Sequence, residues 1–190
     1  MNRGLQATGR PHAMATFKIP ESVLVVIYTE ALDVLLLERN DHPGFWQSVT
    51  GSRATADEPL VVTCAREVAE ETGLAALLAQ FDDWRYSNRY SIYPHWRHRY
   101  APGVTHNTEH VFGLRLPARF APRLSAREHR AFLWLPWRDA ADRCFSWTNA
   151  QAVRRLADRD PAGAAENGAE TPAADSARRN ASAADVAGRG

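Results

Sequence analysis

Cysteine, lysine and long apolar runs are all scarce in this 190-residue chain. Its two cysteines, Cys64 and Cys144, stand in no CxxC pair and cannot build a disulfide framework. Their plain reading is two small buried side chains in a reducing compartment. No apolar run approaches the roughly 20 residues that a membrane helix needs; Val23 to Tyr28 is only strand-length. The opening MNRGLQATGRPHA has no hydrophobic stretch and does not read as a secretory signal. A net charge of +1 gives no support to a nucleic-acid or membrane-surface partner. The expectation is a cytoplasmic protein, with its oligomeric state open. Of 23 basic residues, Lys18 is the only lysine, which singles that position out.

Aromatic residues are missing from 158 to 190, a stretch dominated by Ala, Gly, Asp, Glu and Arg. Such a segment cannot bury enough apolar surface to offset chain entropy, which predicts a disordered tail. Residues 1–15 read as a flexible extension, leaving a domain over 16–157.

Within that domain, SVLVVIYTE (Ser22 to Glu30) and DVLLLERN (Asp33 to Asn40) predict a hairpin. FWQSVTGS predicts a short strand ending at Gly51, and a helix is expected from Glu58 to Thr72. Pro59 suits the first turn of that helix and Gly73 its C-terminal cap. WRYSNRYSIYP, HVFGLRLP and RAFLWLPW predict further strands, and Ser146 to Leu156 a closing helix. Strands interleaved with two helices make a mixed α/β domain.

The chemistry concentrates in GSRATADEPLVVTCAREVAEETGL, Gly51 to Leu74. On a helix Glu67, Glu70 and Glu71 project from one side, while Leu60, Cys64 and Val68 turn towards a core. Three clustered carboxylates repel one another, and a hard divalent cation with oxygen ligands is their natural counter-charge. By themselves they would equally suit a solvated acidic face.

The flanking residues are more specific. Arg66-Glu67-Val68-x-Glu70-Glu71-x-Gly73-Leu74 resembles the REUxEExGU end of the Nudix box, where U is a bulky aliphatic residue. Glu58 stands eight residues before Arg66, as that box requires, and is expected to pair with it. One departure shows: Ser52 occupies the box-glycine position and Gly51 precedes it, so the loop holds one extra residue. Thr50 or Gly51 is then the candidate to offer a carbonyl to the metal.

Outside the box the chain is similar to the dihydroneopterin triphosphate diphosphatases, a branch of the Nudix family. The resemblance runs through VLVVIY, FWQSVTGS, RHRYAPGVT-NTE, EH-A--WL and SW-N-QA, from about Phe17 to Leu156. It implies a mixed β-sheet sandwiched between α-helices. It implies Mg²⁺, with Mn²⁺ as a substitute, held by Glu67, Glu71 and Glu128, and Glu109 is a rival to Glu128. A catalytic set of Arg66, Glu70 and Glu71 is implied, as are substrate contacts from Lys18, Arg39, Thr50, Tyr90, Ser91, Ile92, Tyr93 and Ser146. The reaction implied is hydrolysis of 7,8-dihydroneopterin triphosphate to the monophosphate and pyrophosphate. Two alternatives stand beside it: a broader (d)NTP pyrophosphatase acting on dATP, and a non-catalytic ligand-binding regulator.

Overall fold

The computed structural model describes residues 17–159. The extension expected at 1–15, and all but the first two residues of the tail expected at 158–190, lie outside them. Among the described residues no helix is long and apolar enough to cross a membrane.

The expected hairpin is present as β1 (Glu21–Thr29) and β2 (Asp33–Arg39), antiparallel with Tyr28 opposite Val34. The segment expected as one strand is two, β3 (Trp46–Gln47) and β4 (Val49–Ser52). They break at Ser48, whose buried N–H donates to the Asn149 side chain at 2.8 Å instead of to a neighbouring strand. Helix α1 spans Leu60–Thr72, two residues shorter than expected, because Pro59 is extended and serves as the N-cap. Then come β5 (Phe81–Ser91), a 3-10 segment over Pro94–Arg99, β6 (His106–Leu116) and β7 (His129–Pro136). A helix that the sequence reading missed, α2 (Trp137–Arg143), precedes α3 (Trp147–Arg154).

The seven strands form one mixed sheet in the order β3-β2-β1-β6-β5, with β4 paired to β1 and β7 to β2. The β1–β6 pair is parallel, from Glu21 opposite Thr108 to Thr29 opposite Leu116. The unbroken apolar run of β1 follows from burial on both faces. Val23, Val25 and Ile27 join Cys64 and Val68 of α1, together with Leu35, Leu37 and Phe112. Leu24, Val26 and Tyr28 join Ala140 and Ala141 of α2 and Ala152, Val153 and Leu156 on the other face. Each Val, Leu, Ile or Phe among them contributes about 1.5–3 kcal/mol relative to exposure, and the alanines less. The sheet is thereby held between α1 on one side and the two later helices on the other.

Gly73 closes α1 at φ 72°, its N–H donating to Ala69 O at 2.9 Å. A Cβ there would add backbone strain of about 1–2 kcal/mol and stand 3.1 Å from Arg123 Cβ. Gly73→Ala is therefore expected to lower the Tm by roughly 2–6 °C with catalysis intact. An unchanged Tm would contradict the left-handed cap.

Candidate metal and phosphate site

Helix α1 sets its carboxylates at graded depth. Glu71 is 1% exposed and Glu67 9%, whereas the Glu70 side chain is 55% exposed. The three share one side of the helix, but only two are drawn into the protein. Arg66 holds the group together. Its Nε lies 3.0 Å from Glu58 Oε1, and its Nη1 lies 2.7 Å from Glu67 Oε1 and 3.4 Å from Glu70 Oε2. Its Nη2 donates to Ser52 O at 2.9 Å, tying the loop to the helix. Glu58 also accepts from Ala54 N–H at 2.6 Å and Thr63 Oγ1 at 3.0 Å. Arg66, more than any other neighbour, holds the Glu58 carboxyl down at about 2. The expected Glu58–Arg66 pair is thus a permanent brace.

The extra loop residue is absorbed without displacing the glycine that packs on Glu67. A Cβ on Gly51 would fall 1.8 Å from Glu67 Cδ, so the carboxylate lies directly on the strand backbone. The Ser52 carbonyl is occupied by Arg66, which leaves Thr50 and Gly51 beside the carboxylates.

Glu71 meets Glu128 and His129, whose potential ligand atoms all lie within 4.8 Å of one another. His129, 3% exposed, was assigned no role from sequence. Its Nε2 is 3.0 Å from Glu71 Oε2, but off the hydrogen-bonding direction. Both atoms therefore lack a hydrogen bond among the described residues. Burial pushes the Glu71 carboxyl up to about 7; His129 opposes the shift, and Glu67 and Glu128 add to it. Burial likewise raises Glu67, against the pull of Arg66. Buried like charges with an orphaned oxygen form a donor set suited to a hard divalent cation.

These groups line a cleft of about 550 Å³ together with the basic residues Lys18, Arg39, Arg53, Arg99 and Arg127. Lys18 N–H donates to Arg99 O at 2.8 Å, which anchors the segment ahead of β1. Desolvation and then Arg99 lower the Lys18 ammonium, while Glu67 and Glu128 oppose them. The residue is nonetheless exposed and lines the cleft, within reach of an anion.

A second cleft of about 330 Å³ shares Arg39, Gln47 and Thr50 with the first. Gln47 Nε2 donates to Thr50 Oγ1 at 3.2 Å. Arg39 is clamped by Asp41 at 2.7 Å and lies 5.6 Å over the Trp96 ring. The second cleft is lined by Tyr90, Ser91, Tyr93, Trp96 and the start of α3, Phe145 to Asn149. Tyr93 and Trp147 are 54% and 59% exposed. Tyr93 already stacks on His95 at 5.8 Å and meets Trp96 edge-on at 5.5 Å, so the cleft carries an aromatic cluster suited to a flat ligand. Ser146 is first of all the cap of α3, accepting from Asn149 N–H at 3.3 Å.

The geometry therefore brings together Arg66, Glu67, Glu70, Glu71 and Glu128 with Lys18, Arg39 and Thr50. It places Tyr90, Ser91, Tyr93 and Ser146 in the adjoining cleft. Ile92 lies on neither: it is 3% exposed, and its carbonyl accepts from Arg97 Nε at 3.1 Å. Glu109 lines the second cleft, away from the Glu71–Glu128–His129 group.

Comparison with known proteins gives the family of the chain. A NUDIX domain model matches residues 18–156. The chain is 42% identical over 143 residues to dihydroneopterin triphosphate diphosphatase of Escherichia coli, covering 74% of this chain and 93% of that one. It is 40% identical over 145 residues to the protein of that name from Haemophilus influenzae, covering 75% and 90%. The solved E. coli dihydroneopterin triphosphate pyrophosphohydrolase superposes with a TM-score of 0.68 at 41% identity, covering 76% of this chain and 99% of that one.

Contact between Gly51 and Glu67 can be tested without touching a carboxylate. The Gly51 φ is not left-handed, so Gly51→Ala strains no backbone and meets only the movable end of Glu67. Stability should change by less than about 1 kcal/mol, whereas displacement of the carboxylate should cost at least ~100-fold in turnover. Wild-type kcat in this variant would show that Glu67 does not depend on the bare strand backbone.

Proposed function

The chain belongs to the NUDIX domain family, and from that premise we propose that it hydrolyses 7,8-dihydroneopterin triphosphate to the monophosphate and pyrophosphate, with Mg²⁺ as the working ion. The reaction is a step of folate synthesis. The observation that carries the reading is the joining of two unlike clefts at Arg39, Gln47 and Thr50. One holds carboxylates together with cations, as a metal-assisted site for a phosphate chain needs; the other offers aromatic faces to a flat ring. Identities of 40–42% to the bacterial enzymes over most of both chains support the same substrate.

Glu67, Glu71 and Glu128 would hold the ion, with the buried orphan Glu71 Oε2 as the clearest fit. A divalent cation there supplies charge neutralisation for the phosphates and acidity for the attacking water. Lys18, Arg39, Arg99 and Arg127, lining the same cleft, bind the phosphate chain and fix it relative to the carboxylates. Glu70, exposed and only loosely paired with Arg66, can accept the proton of the attacking water. Arg66 positions Glu67 and Glu70 and shields them from each other. Tyr93 and Trp147 take the pterin ring.

Three measurements test the reading. Pyrophosphate release from dihydroneopterin triphosphate and from dATP should be compared side by side, with and without a chelator. The account expects higher kcat/KM for the pterin and loss of both activities without metal; preference for dATP would favour the broader nucleotide enzyme. Glu71→Gln should keep the fold and lose several orders of magnitude in turnover. A variant keeping more than about a tenth of wild-type kcat, under about 1.4 kcal/mol of barrier, would remove Glu71 from the metal site. Lys18→Ala should raise KM clearly with a smaller fall in kcat, and Lys18→Arg should recover only part, since a planar fork does not replace a point charge. Wild-type kcat/KM in Lys18→Ala would reduce the residue to ordinary surface.

A further inference from the structure

Glu109, the rival to Glu128 for the metal, stands in the wall of the aromatic cleft. The sheet face beneath that cleft changes character along its length. It is apolar at Tyr28, Val26 and Leu24 of β1 and at Val111 of β6. Continuing by alternate residues, it turns polar at Ser22 of β1 and at Glu109 and Asn107 of β6. On β5, Asn88 is the register partner of Glu109, and Tyr90 that of Asn107.

Tyr86 Oη donates to Asn88 Oδ1 at 2.7 Å, and Asn107 Nδ2 donates to Ser22 Oγ at 2.7 Å and Tyr90 Oη at 3.1 Å. These bonds orient the row yet leave it incomplete. Among the described residues, Glu109 Oε2, Asn88 Nδ2 and Asn107 Oδ1 are buried without a hydrogen-bond partner. Glu109 is only 4% exposed. Burial pushes its carboxyl up to about 7, with Thr148 and Asn88 acting against the shift. An orphaned buried polar group costs on the order of 1–3 kcal/mol, more when charged. Folding gains nothing from the three orphaned atoms, whereas the polar edge of a ligand would satisfy them.

We propose that Glu109 reads the donor edge of the bound ring, its carboxylate accepting parallel N–H bonds from the 2-amino group and the neighbouring ring N–H of a 2-amino-4-oxopyrimidine. Dihydropterins and guanine share that edge. Adenine instead sets a bare ring nitrogen beside its amino group, so one oxygen of the ionised Glu109 would face a lone pair. Only the protonated acid suits that edge, and the rings are therefore compared well above the value of about 7 to which burial pushes the Glu109 carboxyl. Glu109 is then a specificity residue, separating pterin from adenine where stacking alone cannot. The inference rests on the placement of the ring in the aromatic cleft argued above.

Binding of 7,8-dihydroneopterin and of adenosine, followed through the fluorescence of Trp96 and Trp147 in the cleft wall, tests it without hydrolysis. Wild-type protein should bind the pterin more tightly. Glu109→Gln should weaken the pterin at least ~10-fold and leave adenosine nearly unchanged, because the site then meets two donors with one acceptor. Glu109→Asp, which keeps the charge but retracts it, should recover part of the loss, and the thermal transition of each variant checks its fold. No binding of the pterin to wild type, unchanged pterin binding in Glu109→Gln, or equal losses for both compounds would overturn the assignment. A wild-type protein that discriminates the rings but releases no pyrophosphate from any triphosphate would instead sink the proposed reaction and leave the role of Glu109 standing.

Discussion

The structure depends on one guanidinium. Arg66 meets Glu58, Glu67 and Glu70 and also the carbonyl of Ser52, so it ties the loop after β4 to the middle of α1. Without a cation at that point, the helix would carry a crowd of like charges into a partly buried wall, which like-charge repulsion and desolvation both oppose. With it, Glu58 is held ionised as a fixed strut, and Glu67 is pinned against the bare backbone of Gly51. Arg66 does not reach Glu71 or Glu128. Those two carboxylates are left beside His129 in the cleft, where their ligand atoms lie within 4.8 Å of one another, a grouping that could hold a metal ion.

The second constraint is the double-sided burial of β1. Since alternate side chains feed two cores, the strand cannot slip by one residue without exchanging both sets. Its neighbours are fixed with it: β4 brings Thr50 and Gly51 to the carboxylates, while β6 brings Glu109 under the aromatic cleft. The phosphate and ring halves of the site therefore take their spacing from the same strand. Arg39, at the irregular end of β2 where the pairing with β7 shifts, stands at the seam between them.

Much of this was legible from residue order. Apolar periodicity located β1, β2 and α1, and the spacing of Glu58, Arg66, Glu67, Glu70 and Glu71 carried both the brace and the acidic site. What escaped was tertiary. The break at Ser48 arises because Asn149, far along the chain, takes its N–H. Helix α2 is short and packs through Ala140 and Ala141, small residues that leave little periodic signal. His129 comes to Glu71 only through the start of β7. Glu109 and Glu128 could not be separated because each follows a polar loop. In the fold Glu109 lies within β6 and lines the aromatic cleft, whereas Glu128 stands just ahead of β7 and lines the acidic one. Ile92 stood among its polar neighbours in sequence, yet its side chain turns inward.

The central claim joins a metal-assisted phosphate site to a ring site in one reaction, and phosphorus NMR of the turnover mixture addresses it directly. With purified protein, Mg²⁺ and 7,8-dihydroneopterin triphosphate, the account predicts that pyrophosphate and the pterin monophosphate appear together in equal amounts, with no diphosphate preceding them. Release of orthophosphate one group at a time, or an unchanged triphosphate spectrum, would contradict it.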